Sequence, residues 1–410
     1  MVRVVGIALV FLLSGCGRSA LGGSAVASAS TGPNRGSDAS AADGWAWPAI
    51  DEGGGVRGGQ AGDTATPFVA RAVYVGNDSS FALLGDGRLA SWGRNDSGQL
   101  GNGADGSFRV DELGFSVVAL AADWHTCFLD AGGLIRCSGS NYYYQLGDGT
   151  SQNRLTPTLV SVISAPARLV AVGGRTCVHT TPPAIECWGA SYSGPDLRTV
   201  SEGFEYIGLA VGGNFVCAAG VGGIISCWGS YGVWQGGVYW VGAQAGNPTD
   251  VPDAVEVVAG FDHGCARTTE GLVWCWGDHS GGQLGVTTPP AICTDVRCSP
   301  KPIIVELPAG VRASRIAARK RATLAVTTDG RVFGWGGLET DGTCDRHPVC
   351  SWLPRQLVGF DDVIDAALGG QHICLRRRDG SVWCWGSNLW KQVSGRETTF
   401  IEQPVRVIPP

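Results

Sequence analysis

The chain has 410 residues, of which only 16% are charged, with 64 glycines, 15 tryptophans, 15 cysteines and one methionine. A formal charge of −6 and only three lysines exclude the basic surface that neutralising a phosphate backbone requires. A hydrophobic content of 44% excludes a chain too polar to order itself. Scarce Met and Lys, abundant Gly, and short β-branched and aromatic runs predict an all-β fold.

In chain order, residues 1–16 come first. Arg3, a mostly apolar run from Val4 to Leu13, and Leu13-Ser14-Gly15-Cys16 read as a signal peptide ending at a lipobox cysteine. Ten residues at 1.5 Å each cannot cross a hydrocarbon core of about 30 Å. Cys16 is therefore the expected lipidation site, and several acyl chains on one residue give lasting anchorage. Residues 17–66, rich in Gly, Ser, Ala and Asp, read as a disordered tether. The membrane is expected to be met through this anchor only.

Residues 67–410 repeat. A Trp-Gly pair closes an apolar run at Trp92, Trp188, Trp228, Trp276, Trp335 and Trp385, with Ser138-Gly139 in the matching place, at a mean spacing near 49 residues. Eleven positions earlier stand Phe81, Cys127, Cys177, Cys217, Cys265, Leu324 and Cys374. Asp-Gly between two short runs, as at Asp379-Gly380, predicts a hairpin. Units of three or four strands cannot bury both faces alone, and radial stacking solves that. The expected fold is thus an all-β, seven-bladed β-propeller of about 49-residue repeats. The first copy has no Pro-x-x-Val segment ahead of it, whereas Pro404-Val-Arg-Val-Ile408 follows the seventh. The reading is closure by the C-terminal strand, at about 403–408, joining the first blade.

The segments His125-Thr-Cys127, His263-Gly-Cys265 and His372-Ile-Cys374, with Cys-Trp-Gly and then Ser97-Gly-Gln-Leu-Gly101, Tyr144-Gln-Leu-Gly147 or Gly282-Gln-Leu-Gly285, resemble repeats of the regulator of chromosome condensation family. The resemblance implies a seven-bladed propeller that serves as a protein-interaction platform. The nucleotide-exchange activity of that family's eukaryotic founder does not suit an acidic, lipidated, cysteine-paired chain.

Five cysteine pairs lie ten residues apart: Cys127 with Cys137, Cys177 with Cys187, Cys217 with Cys227, Cys265 with Cys275, and Cys374 with Cys384. Opposed residues of an antiparallel hairpin lie within disulfide reach. Copies one and six lose both members together, as Phe81 with Ser91 and Leu324 with Gly334. Cys293 with Cys298 and Cys344 with Cys350 are read as clips on two insertions, 286–302 and 338–352, which requires an oxidising compartment. Cysteines on separate blades do not converge as zinc ligands do, so no metal and no cofactor are expected.

His125, His263 and His372 share one repeat position, which favours structural hydrogen bonding, while His179, His279 and His347 show no motif. The nucleophile elbow, phosphate loop and HExxH are absent from the sequence, as is the sialidase-type Asp-x-Gly turn motif. No catalytic residues are assigned. Aromatic residues after the Trp-Gly mark, namely Tyr142, Tyr143, Tyr144, Trp234, Tyr239, Trp240 and Trp390, are the candidate binding residues. The expected protein is a monomeric, non-enzymatic, lipid-anchored binding protein of a bacterial cell envelope, at the outer membrane, with an envelope protein or glycan as partner and no nucleic acid. The alternatives are an envelope hydrolase or lyase with a site at the channel mouth, or a structural surface spacer.

Overall fold

The computed structural model describes residues 69–408, apart from 104–105, 112, 164, 190–196, 232–239, 242–247, 250, 289–290, 294–295, 338–348 and 358. The segments 1–16 and 17–66, with Cys16, lie outside the described residues, as do Trp234, Tyr239, Cys344 and His347.

Seven antiparallel sheets follow one another along the chain. The first blade takes its strands in chain order from the axis outward: Ala70–Val75, Ser79–Leu84, Leu89–Gly93 and Arg109–Asp111. The second repeats this with Val117–Ala122, His125–Asp130, Ile135–Gly139 and Arg154–Leu159. The second strand of each blade is covered on both sides, as in Ser79–Leu84, where all six residues are buried. Seven apolar clusters fill the junctions, each shared by two successive blades. At the seam, for example, Ala82 and Trp92 of the first blade pack with Cys374, Val382 and Ile401 of the seventh.

The expected closure needs correction. The strand Phe400–Ile408 pairs with Val382–Ser387 inside the seventh blade and not with the first. The reason lies in where each unit ends. Pro157-Thr-Leu belongs to the outer strand Arg154–Leu159 of the second blade, so the Pro-x-x-Val segment finishes the blade before it. The first copy lacks nothing. The ring is closed by side chains and single hydrogen bonds: Ala70 N to Gly380 O at 3.1 Å, Gly370 N to Asn77 O at 2.8 Å and Val73 N to Asp365 Oδ2 at 3.3 Å.

The glycine of each Trp-Gly pair is required by geometry. Gly93 and Gly386 have φ of 105° and 110°, where a side chain is strained. A Cβ there would lie 2.6 Å from Asp78 O and 2.5 Å from Gln371 O. Those carbonyls accept the next amide, Arg94 N at 2.9 Å and Ser387 N at 2.8 Å. The bond ties the segment leaving the third strand to the inner hairpin turn, so both lie on one face of the ring, here called the upper face. Both ends of the described chain are on the lower face. Val69 accepts from Gly85 N at 2.9 Å, and Ile408 pairs with Val382 beside the turn at Gly380.

Candidate binding face and axial channel

Beneath the upper face runs a repeated interlock between blades. The main-chain oxygen of Gln392 accepts Trp92 Nε1 at 2.8 Å and Ser80 Oγ at 2.9 Å, and His372 Nε2 lies 2.9 Å from the same hydroxyl. Gln145 O does the same for Trp188 Nε1 and Thr176 Oγ1, which meets His125 Nε2 at 2.7 Å. Gln283 O serves Trp335 Nε1 and Thr323 Oγ1, which meets His263 Nε2 at 2.8 Å. Each hydroxyl has one proton and gives it to a carbonyl, so each imidazole donates from Nε2, an assignment made from the network. Burial pushes His125 and His263 down to about 3. These two rings are neutral struts between blades, and His372 occupies the equivalent place at the seam.

The Gln side chain and the residue four before it shape the same turn. Asn95, Asn141 and Asn388 accept the amides of Leu100, Leu146 and Val393 at 2.9, 2.9 and 3.0 Å. His279 Nδ1 accepts Leu284 N at 3.2 Å. His279 therefore has a repeat position after all, the one held elsewhere by Asn. The sequence reading missed it because the substitution hid the register.

On the upper face, the guanidinium of Arg94 lies 4.9 Å from the Trp124 ring centroid and 4.5 Å from that of Trp390. The three residues come from blades one, two and seven. Asp96 at 2.6 Å and Asp78 at 3.4 Å hold the cation in place, and the two rings remain 46% and 44% exposed. Leu389 and Tyr142, each 65% exposed, and Phe261, 55% exposed, belong to the same set of upper-face turns. Of the aromatic residues singled out by sequence, Trp390 and Tyr142 are thus exposed there, and Tyr143 and Tyr144 are half-buried. Trp240 lies in the short strand Trp240–Val241, and its side chain is outside the described residues. Trp124, Arg94 and Phe261 were missed. The available signals were a tryptophan one residue before His125, where other copies carry Asp78, Asn214 or Gln371, and a phenylalanine two residues before His263, where others carry Asn77, Gly213 or Lys320.

The five cysteine pairs spaced by ten are bonded across directly opposed positions with Cα separations of 4.1–4.2 Å. Cys298 and Cys350 are also disulfide-bonded, while the side chain of Cys293 is outside the described residues. The insertion 286–302 is less of a free loop than expected. Val296–Ile304 is the fourth strand of the fifth blade, between Val273–Asp278 and the short edge strand Ala291–Cys293, and Arg297 and His279 both pack on Trp352 of the sixth, at 5.3 and 5.2 Å.

Burial and the neighbouring Asp278 raise the Asp262 carboxyl to about 7, and burial also raises Asp123, Asp365, Glu256 and Glu186 above the ordinary carboxylate range. Asp278 accepts from Ser280 N and Oγ and from Gln283 Nε2, at 2.9, 2.7 and 2.7 Å. Among the described residues, no three His, Cys, Asp or Glu side chains converge to hold a metal ion. The axis itself carries a channel pocket of about 520 Å³ lined from every blade. Arg319 of the sixth blade pairs with Asp123 of the second across its upper end.

These features define a class: a seven-bladed propeller in which one tryptophan-to-carbonyl interaction recurs at three blade junctions. The chain carries regulator of chromosome condensation (RCC1) repeats, matched by models of that repeat at residues 70–99, 137–179, 254–283 and 363–389. The ultraviolet-B receptor UVR8 of Arabidopsis thaliana is 25% identical over 79% of this chain and 78% of its own length. The protein RCC2 homolog of Xenopus laevis is 26% identical over 74% of this chain and 59% of its own length. The crystal structure of Prp20p from Saccharomyces cerevisiae, described with its binding to Gsp1p and histones, superposes with a TM-score of 0.64 at 19% identity, covering 84% of this chain and 88% of that one.

Proposed function

We propose that this protein is a non-enzymatic binding module of a bacterial cell envelope, held to a membrane by acylation of Cys16 and presenting its upper face to a protein partner. The observation that carries the reading is the Trp124–Arg94–Trp390 stack, three residues of the types that dominate interface energetics, pinned together with both tryptophans left exposed. Its position adds support, since both ends of the described chain lie on the lower face. Prp20p, with the same fold, is described as binding other proteins. The bonded cysteine pairs suit an oxidising compartment. The competing hydrolase or lyase reading would place its acid at the channel mouth, where Asp123 is paired with Arg319.

Two experiments test separate halves of the proposal. A photo-cross-linking amino acid at Leu389, on the upper face, should give a discrete covalent adduct in intact cells, and one at Val221, on the lower face, should not. Adducts from Val221 alone would reverse the assignment. Cys16→Ser should abolish acyl labelling and release the chain from membranes; retention of the label would sink the anchor.

A further inference from the structure

The upper half of the axial channel is a cavity of about 520 Å³, within the 300–1,000 Å³ range of small-molecule sites. Its wall includes the half-buried apolar side chains of Val170, Leu209, Val258, Ala317 and Ala367. Three charged side chains line it. Arg319 and Asp123 neutralise one another across the ring, with Arg319 also donating to Ala122 O at 3.2 Å. Lys320 has no ion-pair partner among the described residues. Its ammonium is 3.0 Å from where a Cβ of Gly370 would stand, folded over the seventh-blade turn next to Asn77. Trp124 and Phe261 rim the same mouth. The cavity therefore carries one net positive charge, at its entrance, above apolar walls. Low-dielectric walls focus the field of such a charge and favour an anion, and an apolar body of matching size gains by leaving water.

We propose that the upper channel is a binding site for a small amphipathic anion, with an aromatic or aliphatic body inside the ring and its carboxylate or sulfonate beside Lys320. The site does not require the upper face to bind a macromolecule, so it stands or falls apart from the function proposed above.

The test uses the full chain and 8-anilinonaphthalene-1-sulfonate as a fluorescent apolar anion. Two variants probe the two parts of the site. Lys320→Glu reverses the exposed charge. Ala367→Tyr fills the channel with a side chain that the fold already accepts, because Tyr74 holds the same register position in the first blade, opposite Phe81 as Ala367 is opposite Cys374. Ala317→Tyr, opposite Leu324, serves if the first filling variant fails to fold. The expected result is one saturable site whose affinity falls at least ten-fold in both the charge and the filling variant. 4-Phenylbutyrate should displace the dye, and 4-phenylbutylamine should not. Unchanged affinity in either folded variant, or equal displacement by the acid and the amine, overturns the proposal.

Discussion

Ser138 stands where six other blades carry tryptophan, and the structure shows what replaces the missing indole. Gly101 faces Ser138 Oγ and Phe128 Cζ, at 3.0 and 3.1 Å from its Cβ position, whereas Gly147 and Gly285 face Trp188 and Trp335. Phe128 thus fills the space from the neighbouring strand, at a position occupied elsewhere by Ala82, Val178, Ala218, Ala266, Ala325 and Leu375. Phe128→Ala should cost about 3–5 kcal/mol, and Ser138→Trp alone about 1–3 by overpacking. The double variant should be more stable than the sum of the two predicts, read from urea midpoints; strict additivity would refute the exchange. Both positions could be read from the sequence, but their compensation could not, because it depends on a diagonal contact across two strands and a glycine of the preceding blade.

Titration belongs to the same scale. His125 and His263 are held at about 3 and His279 at about 4, against an ordinary 6.5. The unfolded chain therefore takes up these protons first as pH falls. The stability they contribute is complete above about 6.5 and is lost progressively towards their folded values. Asp262, raised from 3.8 to about 7, acts in the opposite sense, since the folded chain keeps a proton that the unfolded chain releases, and its contribution fades as pH rises towards 7. The contribution of the three histidines should therefore fall between pH 6.5 and 5, opposed by Asp262 and by the other carboxyls that burial raises, Asp123, Asp365, Glu256 and Glu186. Asp262→Asn, which removes one opposing group, should shift the slope of stability against pH in this window by roughly +1.4 kcal/mol per pH unit. An unchanged slope or a shift of the opposite sign in that variant, measured by urea unfolding, would contradict the assignment.

Among the elements, the hairpins were the most legible, because their turn residues and cysteine spacing are local. The outer strands were the least legible. Their sequences, such as Arg154–Leu159 with no buried residue, lack the apolar signature that marks the inner three. That is why the Pro-x-x-Val segment reads as opening the blade that follows it when it closes the one before. The hairpins also show two ways of filling the place of a disulfide. In the sixth blade Leu324 lies opposite Gly334, where a Cβ would come within 3.1 Å of Leu324 Cδ2, so one large side chain covers a bare backbone. Phe81 opposite Ser91 is the second case. Cys374→Ala with Cys384→Ala should lose roughly 2–3 kcal/mol, the chain-entropy value for a short loop. Transplanting the sixth-blade pair, as Cys374→Leu with Cys384→Gly, should lose less. Equal losses by calorimetry would show that packing contributes nothing to the difference.

For the whole molecule, the repeat count, the ring and the all-β class followed from periodicity, whereas the proposed binding face did not, since it is assembled from blades one, two and seven. A tryptophan in an inner turn becomes part of a site only when the ring brings residues 94, 124 and 390 together. Closure makes one further prediction. Phe400–Ile408 supplies the outer strand of the seventh blade, and Ile401 packs into the cluster at the seam. Ending the chain at residue 399 should therefore open the ring at that junction and abolish the single cooperative transition. A truncated chain that melts as sharply as the intact one would mean that the seam is held without it.

Each blade is also encoded by one unbroken stretch of chain, from its innermost strand to its outermost, with no strand lent across the seam. The unit of inheritance and the unit of packing therefore coincide. A duplication or deletion of one such stretch exchanges a whole wedge, and any junction is equivalent in kind to the natural break. Moving the chain ends to the junction between the third and fourth blades, and joining the old ends by a linker along the lower face, would leave every sheet intact. A propeller that closes by sharing a strand has no such freedom.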